Sequence, residues 1–153
     1  MSSLETSAVT TPTPPTYAEG QLRLTLIEER PEHPRLLDGT WWPRGRELAV
    51  EIPLLAADFA QRGLQVSSVT YHPSTWQVAP SKLRVDGHRI QLSAVREIDP
   101  ALLIVQTARD ESIDLLVIPA ETDPAVAARA VALAVSPLTQ LTPTALLAAA
   151  GLS

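Results

Sequence analysis

The chain has 153 residues, with 12 Lys and Arg against 17 Asp and Glu, so its formal net charge is −5. This length suits one domain, and the absence of cysteine excludes disulfides, thiolate metal sites and a cysteine nucleophile. The mildly acidic balance argues against broad electrostatic binding to nucleic acid. The N-terminal residues lack the basic start and apolar core of a signal peptide. The longest apolar run, residues 125–135, is far shorter than the roughly 20 residues that a bilayer requires, so we predict a cytoplasmic protein.

The first part of the chain predicts a tail, a strand and a loop. Residues 1–18 are rich in Ser, Thr and Pro, and such a composition cannot bury enough apolar surface to offset the entropy lost on ordering, so we predict a disordered tail. Residues 21–27 alternate between apolar and polar side chains, which is typical of a strand with one face on a core. Residues 28–43 hold three prolines and a glycine, and they are predicted as a long loop.

Residues 46–62 predict an amphipathic helix. Their apolar residues recur at helical spacing, and Glu47, Glu51, Asp58 and Arg62 lie largely off the apolar stripe. Pro53 either kinks the helix or begins a second helical piece, and Gly63 terminates it. The apolar stripe consists of Leu48, Ile52, Leu55 and Phe59.

Three further strands are predicted from apolar and β-branched runs. Residues 64–72 are rich in β-branched side chains but alternate imperfectly, which a bulge or burial on both faces would explain. Residues 102–107 and 113–118 are continuous apolar runs separated by a short polar loop. They predict a hairpin of two central strands, because a strand buried on both faces loses its alternation.

The pair Asp86-Gly87 predicts a two-residue hairpin turn of the primed type, with a strand on either side. The resulting register sets Arg84 opposite Arg89 and places Lys82 on the same face. Like charges directly opposite each other are unfavourable. Either acidic side chains of neighbouring strands neutralise this basic face, or an acidic partner binds it.

Two helices are predicted at the end of the chain. Asp123-Pro124 and Thr142-Pro143 each combine a capping residue with a first-turn proline, which is a helix start signal. The helices cover residues 125–135 and 143–150, and we expect the second to dock on its own domain. The fold class is therefore α+β: a mostly antiparallel sheet of about six strands, with two main helices packed on it and a short C-terminal helix.

The sequence predicts three segments: a disordered tail over 1–18, a single α+β domain over 19–137 and a short C-terminal helical coda over 138–153. The first strand–helix–strand unit could place the strands of 21–27 and 64–72 in parallel.

Residues 37–46 read Leu-Asp-Gly-Thr-Trp-Trp-Pro-Arg-Gly-Arg. With the helix that follows, this segment resembles a family of small actinobacterial proteins of unknown function that is marked by Asp-Gly-x-Trp-Trp-Pro-Arg. The segments at 71–76 and 115–124 extend the resemblance over about residues 20–135. The resemblance implies no activity, because the family has no assigned chemistry.

The Trp-Trp-Pro-Arg segment supplies the strongest candidate binding residues. Trp41 and Trp42 point to opposite sides of an extended chain, so one can anchor the core while the other lines a surface; alternatively, both pack the loop against the sheet. Aromatic residues and arginine are favoured at binding hot spots. Arg44 and Arg46 precede a helix start, where free N–H groups favour an anion; alternatively, Asp38 pairs with Arg44 and fixes the loop.

No catalytic or metal motif is present in the sequence. The three histidines lack metal-ligand spacing, and neither a Gly-x-Ser-x-Gly elbow nor a Gly-rich phosphate loop occurs. His72 is expected to have a structural role at a strand end. We therefore predict no cofactor and no metal.

The residues favour a non-enzymatic binding or regulatory module whose Trp/Arg-rich loop contacts a partner. The alternative is a domain that binds a small molecule or anion, or an enzyme of a type that the sequence does not reveal, with Arg44, Arg46 and Trp76 lining one pocket. The expected partner is a protein or a small anionic ligand. Single-stranded nucleic acid, bound by aromatic stacking with arginine, is disfavoured by the net charge of −5. The predicted binding residues are Asp38, Trp41, Trp42, Arg44, Arg46 and Trp76, with Lys82, Arg84 and Arg89 as an acidic-partner face.

Overall fold

The computed structural model of the protein describes residues 22–27, 37–136 and 141–152. These residues form one mixed sheet and three helices. In chain order the elements are β1 (Leu24–Leu26), β2 (Gly39–Trp41), α1 (Leu48–Gln61), β3 (Val66–Tyr71), β4 (Lys82–Val85), β5 (His88–Ala94), β6 (Leu102–Thr107), β7 (Ser112–Val117), α2 (Pro124–Val135) and α3 (Pro143–Ala150).

The sheet has the strand order β1-β2-β7-β6-β3-β5-β4 in the part of the chain that the structure describes. Four neighbouring pairs there are antiparallel, and two, β2–β7 and β3–β5, are parallel. The α+β class is confirmed, whereas the prediction of a mostly antiparallel sheet of about six strands is only roughly right. The seventh strand is β2, which lies inside the segment predicted as a loop.

The strand β2 could not be predicted from the sequence, because it has only three residues and no alternation of apolar and polar side chains. Its pairing comes from neighbours that are distant in the chain: Trp41 lies opposite Leu24 on one side and opposite Val117 on the other. The parallel pairing of the first strand with residues 64–72, which the sequence allowed, is not formed, because partners from distant parts of the chain lie between them. The strands β2, β7 and β6 separate β1 from β3.

The hairpin β4–β5 has the predicted register, with Arg84 opposite Arg89 and Lys82 opposite Gln91. Asp86 and Gly87 both have positive φ, at 50° and 80°, as a primed turn requires. The hairpin β6–β7 occupies the middle of the sheet, as predicted. The irregularity expected in β3 is present as a register shift between Val66 and Ser68.

Helices pack on both faces of the sheet. The apolar side of α1 packs on one face, and the helix continues through Pro53 without a break. The helices α2 and α3 pack on the other face over β7, where Leu146 and Leu147 are buried. The apolar side of α3 therefore packs on its own domain, as predicted. None of the described helices is long and apolar enough to cross a membrane.

The proposed segment boundaries at 18 and 137 stay predictions. The predicted tail, residues 1–18, lies outside the described residues, and so does most of the predicted loop up to residue 36.

Candidate functional site

The two adjacent tryptophans point in opposite directions. Trp41 is fully buried and stacks on Trp76, with ring centroids 5.5 Å apart and 27° between the ring planes. Trp42 is half-buried and packs on the α2–α3 side of the sheet, where its indole N–H donates to the Pro119 carbonyl at 3.0 Å. Side chains of consecutive residues diverge in an extended chain, so only Trp42 reaches the surface.

Arg23, which precedes β1, holds Trp42 in place. Its guanidinium carbon lies 3.7 Å from the centroid of the Trp42 ring. Its Nε donates to the Trp42 carbonyl at 2.9 Å, and a terminal nitrogen donates to the Pro43 carbonyl at 2.8 Å. The cation–π contact and the two hydrogen bonds fix the backbone and the side chain together. We refer to this arrangement as the Arg23–Trp42 stack.

A groove of about 230 Å³ separates this segment from α1. Leu54 projects from α1 into the groove wall with 51 % of its surface exposed, although most large apolar residues of the helix are buried. The feature, called the Trp42 groove below, is lined by Leu22, Arg23, Trp42, Pro43 and Arg44 together with Glu51, Leu54, Ala57, Asp58 and Gln61 of α1.

Glu51 is buried, which corrects the prediction that it lies off the apolar stripe of the helix. Its Oε1 accepts a hydrogen bond from the backbone N–H of Arg44 at 3.2 Å. A carboxylate in the first turn also interacts favourably with the helix dipole, and Glu47, the residue at the N-cap, makes no capping hydrogen bond with its side chain. Glu51 therefore ties the Trp-Trp-Pro-Arg segment to α1 from inside the groove.

Arg46 lies away from the groove. Its guanidinium donates twice to Glu121 Oε1, at 2.6 and 3.2 Å, and once to the Thr75 carbonyl at 3.2 Å. The hydrogen bond from Arg46 is the main reason that the pKa of Glu121 is lowered. Both side chains are largely exposed, so this ion pair is of the kind that contributes little to stability.

The single pocket expected from Arg44, Arg46 and Trp76 is not formed by the described residues. Arg44 lines the Trp42 groove, whereas Arg46 lines a separate depression of about 480 Å³ beside the start of α2. Trp76 is buried against Trp41. Arg44 and Arg46 immediately precede α1 and line different depressions, whereas Trp76 follows β3 and packs inside the core.

Asp38 joins β2 to β7. Its Oδ2 accepts from the backbone N–H of Asp114 at 2.9 Å, and its own N–H donates to the Asp114 carbonyl at 2.7 Å. Burial and the nearby negative charge of Asp38 raise the pKa of Asp114, while a hydrogen bond with Ser112 opposes the change. Asp38 thus has a structural role at the head of β2.

The histidines of the described residues serve local structure. His72 Nδ1 accepts from the Ser74 N–H at 3.0 Å just after β3, and His88 Nδ1 lies 3.2 Å from Gln65 Nε2. No group of three His, Asp or Glu side chains there has the arrangement of a metal site. His33 lies outside the described residues.

Three residues of the groove carry no role in the sequence interpretation: Arg23, Glu51 and Leu54. Only Leu54 could have been identified from the sequence, because it is a large apolar residue that lies off the apolar stripe of the helix. The other two gain their roles from contacts with residues at least seven positions away in sequence.

The fold and the groove define a small α+β domain with a fixed aromatic–arginine feature at one edge of its sheet. The chain belongs to a family of unknown function, DUF5994, whose profile matches residues 22–134. The resemblance drawn from the sequence is confirmed at that level, and the matched region includes the whole Trp42 groove. No curated protein and no solved structure matches the chain.

Proposed function

We propose that this protein is a non-enzymatic binding module that contacts a protein partner through the Trp42 groove. The observation that carries the proposal is the immobilised Arg23–Trp42 stack across the groove from Leu54, a leucine with half of its surface exposed. Tryptophan and arginine are the residues most often found at binding hot spots. Because both are held by hydrogen bonds in the free protein, little side-chain entropy remains to be lost on binding.

The size of the groove favours a partner's side chain over an enclosed small molecule. Ligand pockets are typically about 300–1,000 Å³, and the groove, at about 230 Å³, is below that range. Its apolar residues suit an inserted aliphatic or aromatic side chain. Arg44 and Asp58, one of each charge sign, line the same groove and would fix the orientation of the partner.

A small anion suits the site less well. Arg44 and Arg46 line different depressions, and the carboxylate of Glu51 already accepts the backbone N–H of Arg44 near the start of α1. Fixed negative charge at that position opposes the binding of a phosphate or carboxylate.

We also propose that the protein acts in the cytoplasm, and that Asp-Gly-x-Trp-Trp-Pro-Arg is the mark of an actinobacterial family. Cell fractionation tests the first statement. Recovery of the same segment at the groove in further members, all from actinobacteria, would support the second.

The experiment compares the proteins cross-linked to the wild type and to groove variants in an extract of the source organism. Leu54→Glu puts a charge on an exposed groove wall without disturbing the core, and Trp42→Ala removes the indole. Val78→Glu is the matched control, because Val78 is fully exposed and is not among the residues that line the groove.

We expect one cross-linked partner to be lost with Leu54→Glu and Trp42→Ala but retained with Val78→Glu. Thermal unfolding of each variant confirms that it is folded. Equal recovery of every partner with Leu54→Glu and with the wild type would contradict the proposal. So would equal loss with Val78→Glu, since that result would assign the effect to added negative charge alone.

A further inference from the structure

A second surface, independent of the Trp42 groove, lies at the opposite edge of the sheet. The strand β4 is the last in the strand order. Its Lys82 and Arg84 lie on one face together with Arg89 of β5, and all three side chains are exposed. We refer to these three residues as the basic edge.

The three side chains of the basic edge have no ion-pair partner within the described residues. No hydrogen bond or ion pair there involves these three side chains, although Arg84 and Arg89 lie directly opposite each other. The residues that share the face in β5 and β3 are neutral, namely Gln91, Ser93, Ser68 and Thr70. Neutralisation by neighbouring strands, one of the two outcomes allowed by the sequence, is therefore not found.

The outer side of the β4 backbone has no hydrogen-bond partner among the residues that the structure describes. Leu92 N–H donates to the Ser81 carbonyl at 2.8 Å, which makes these two residues a hydrogen-bonded pair. Such pairs alternate along an antiparallel ladder, so Leu83 and Val85 direct their N–H and C=O groups to β5. Lys82 and Arg84 direct theirs away from the sheet.

The two faces of this edge have different chemistry. Leu83 and Val85 are half-buried and pack on the core beneath α1, whereas Lys82 and Arg84 project from the uncovered face. An added strand would therefore meet apolar side chains on one face and cations on the other, in alternation.

We propose that the basic edge binds an acidic segment of a partner protein as an added β-strand. The backbone of the segment hydrogen-bonds with that of Lys82 and Arg84. Its carboxylates, at every second position, pair with the two cations, and Arg89 adds to the positive potential from the next strand. Its intervening apolar side chains lie beside Leu83 and Val85. Binding also offsets the repulsion between Arg84 and Arg89.

Two other occupants fit the edge less well. A second copy paired through β4 would bring Lys82 and Arg84 of both chains together, and like charges opposite each other are unfavourable. Single-stranded nucleic acid is bound by aromatic stacking within a positive groove, but the residues paired across this face include no aromatic side chain. The net charge of −5 opposes it further.

The test titrates the labelled full chain with a synthetic peptide of alternating Glu and Val, and follows the backbone amides by NMR and binding by fluorescence anisotropy. Three comparison probes are used: the same residues in blocked order, the alternating peptide with N-methylated backbone, and single-stranded poly(U). The variant is Lys82→Gln with Arg84→Gln. The matched control is Arg109→Gln, an exposed arginine in the β6–β7 loop.

We expect the alternating peptide to shift the amide signals of Lys82 and Arg84 and to bind more tightly than the blocked and N-methylated peptides. The double variant should weaken binding by about tenfold or more, equivalent to about 1.4 kcal/mol, while Arg109→Gln should leave it unchanged.

Three results would overturn the proposal. The first is equal affinity of the wild type and the double variant for the peptide. The second is preferential binding of poly(U). The third is self-association of the double variant without peptide binding by the wild type, because the cations would then serve only to prevent edge-to-edge pairing.

Discussion

Gly39 is the residue of β2 whose replacement should show most clearly how the first two strands are held together. A Cβ atom at this position would lie 2.4 Å from the carbonyl oxygen of Thr25 and 2.9 Å from a methyl carbon of Leu26. The first of these atoms belongs to the backbone of β1. It cannot move aside as a flexible side chain could, so Gly39→Ala must push β1 away from β2.

The magnitude follows from two opposing terms. Replacing glycine by alanine reduces the entropy of the unfolded chain and stabilises a protein by about 0.4–1 kcal/mol where the native geometry allows it. Forcing an extra carbon into a packed site costs about 1–3 kcal/mol. The contact at Gly39 is with backbone, so we expect a cost in the upper part of that range, about 2–3 kcal/mol. After the entropic gain is subtracted, the net loss of stability should be about 1–2.5 kcal/mol.

Gly45→Ala is the matched control. A Cβ there would lie 3.4 Å from Glu51 Oε2, and the φ of Gly45 is outside the left-handed region. Its free energy of unfolding should therefore stay within about 1 kcal/mol of the wild type. Urea unfolding followed by tryptophan fluorescence measures both variants. Equal stability of Gly39→Ala and Gly45→Ala would refute the close approach of β1 and β2.

The other predictions concern the α2–α3 side of the sheet and the half-buried carboxyl of Asp114. Leu146→Ala should lower the free energy of unfolding by about 2–5 kcal/mol, because Leu146 is fully buried; the control Leu141→Ala, at a residue 38 % exposed, should change it by less than about 0.5 kcal/mol. Equal urea midpoints for these two variants would mean that α3 does not pack as described. The raised pKa of Asp114 means that this group favours folding at acid pH, below its unfolded pKa, and that the contribution is lost as pH rises through the folded pKa. As the pH rises from about 4 to about 7, the stability of Asp114→Asn should therefore increase relative to that of the wild type. If the difference between the urea midpoints of the two proteins stayed constant over this range, burial and the charge of Asp38 would not raise the pKa of Asp114.

The groove shows why a site can be partly visible in a sequence. The Trp-Trp-Pro-Arg segment is recognisable because Trp and Arg next to a helix start are unusual, and three of its residues, Trp42, Pro43 and Arg44, line the groove. Arg23, just before β1, and Leu54, in the middle of α1, complete it. Their roles depend on how far β1, β2 and α1 approach one another, and no local pattern encodes that distance.

The sequence by itself determined the elements whose signals are short-range. Asp86-Gly87 sets the register of its hairpin through positive φ. The helices α2 and α3 begin where side chains of Asp123 and Thr142 accept backbone N–H groups two or three residues ahead. Each of these interactions closes within a few residues, so the local chemistry is sufficient to specify it.

Only the tertiary structure decided the strand order, the existence of β2 and the burial of Glu51. The strand β2 is held between Leu24 and Val117, which are far apart in the chain, and Glu51 is buried because the backbone of Arg44 folds over it. In each case the stabilising partner lies outside the local segment. Pairing and burial of this kind depend on the whole packed chain, whereas periodicity and capping depend on neighbours.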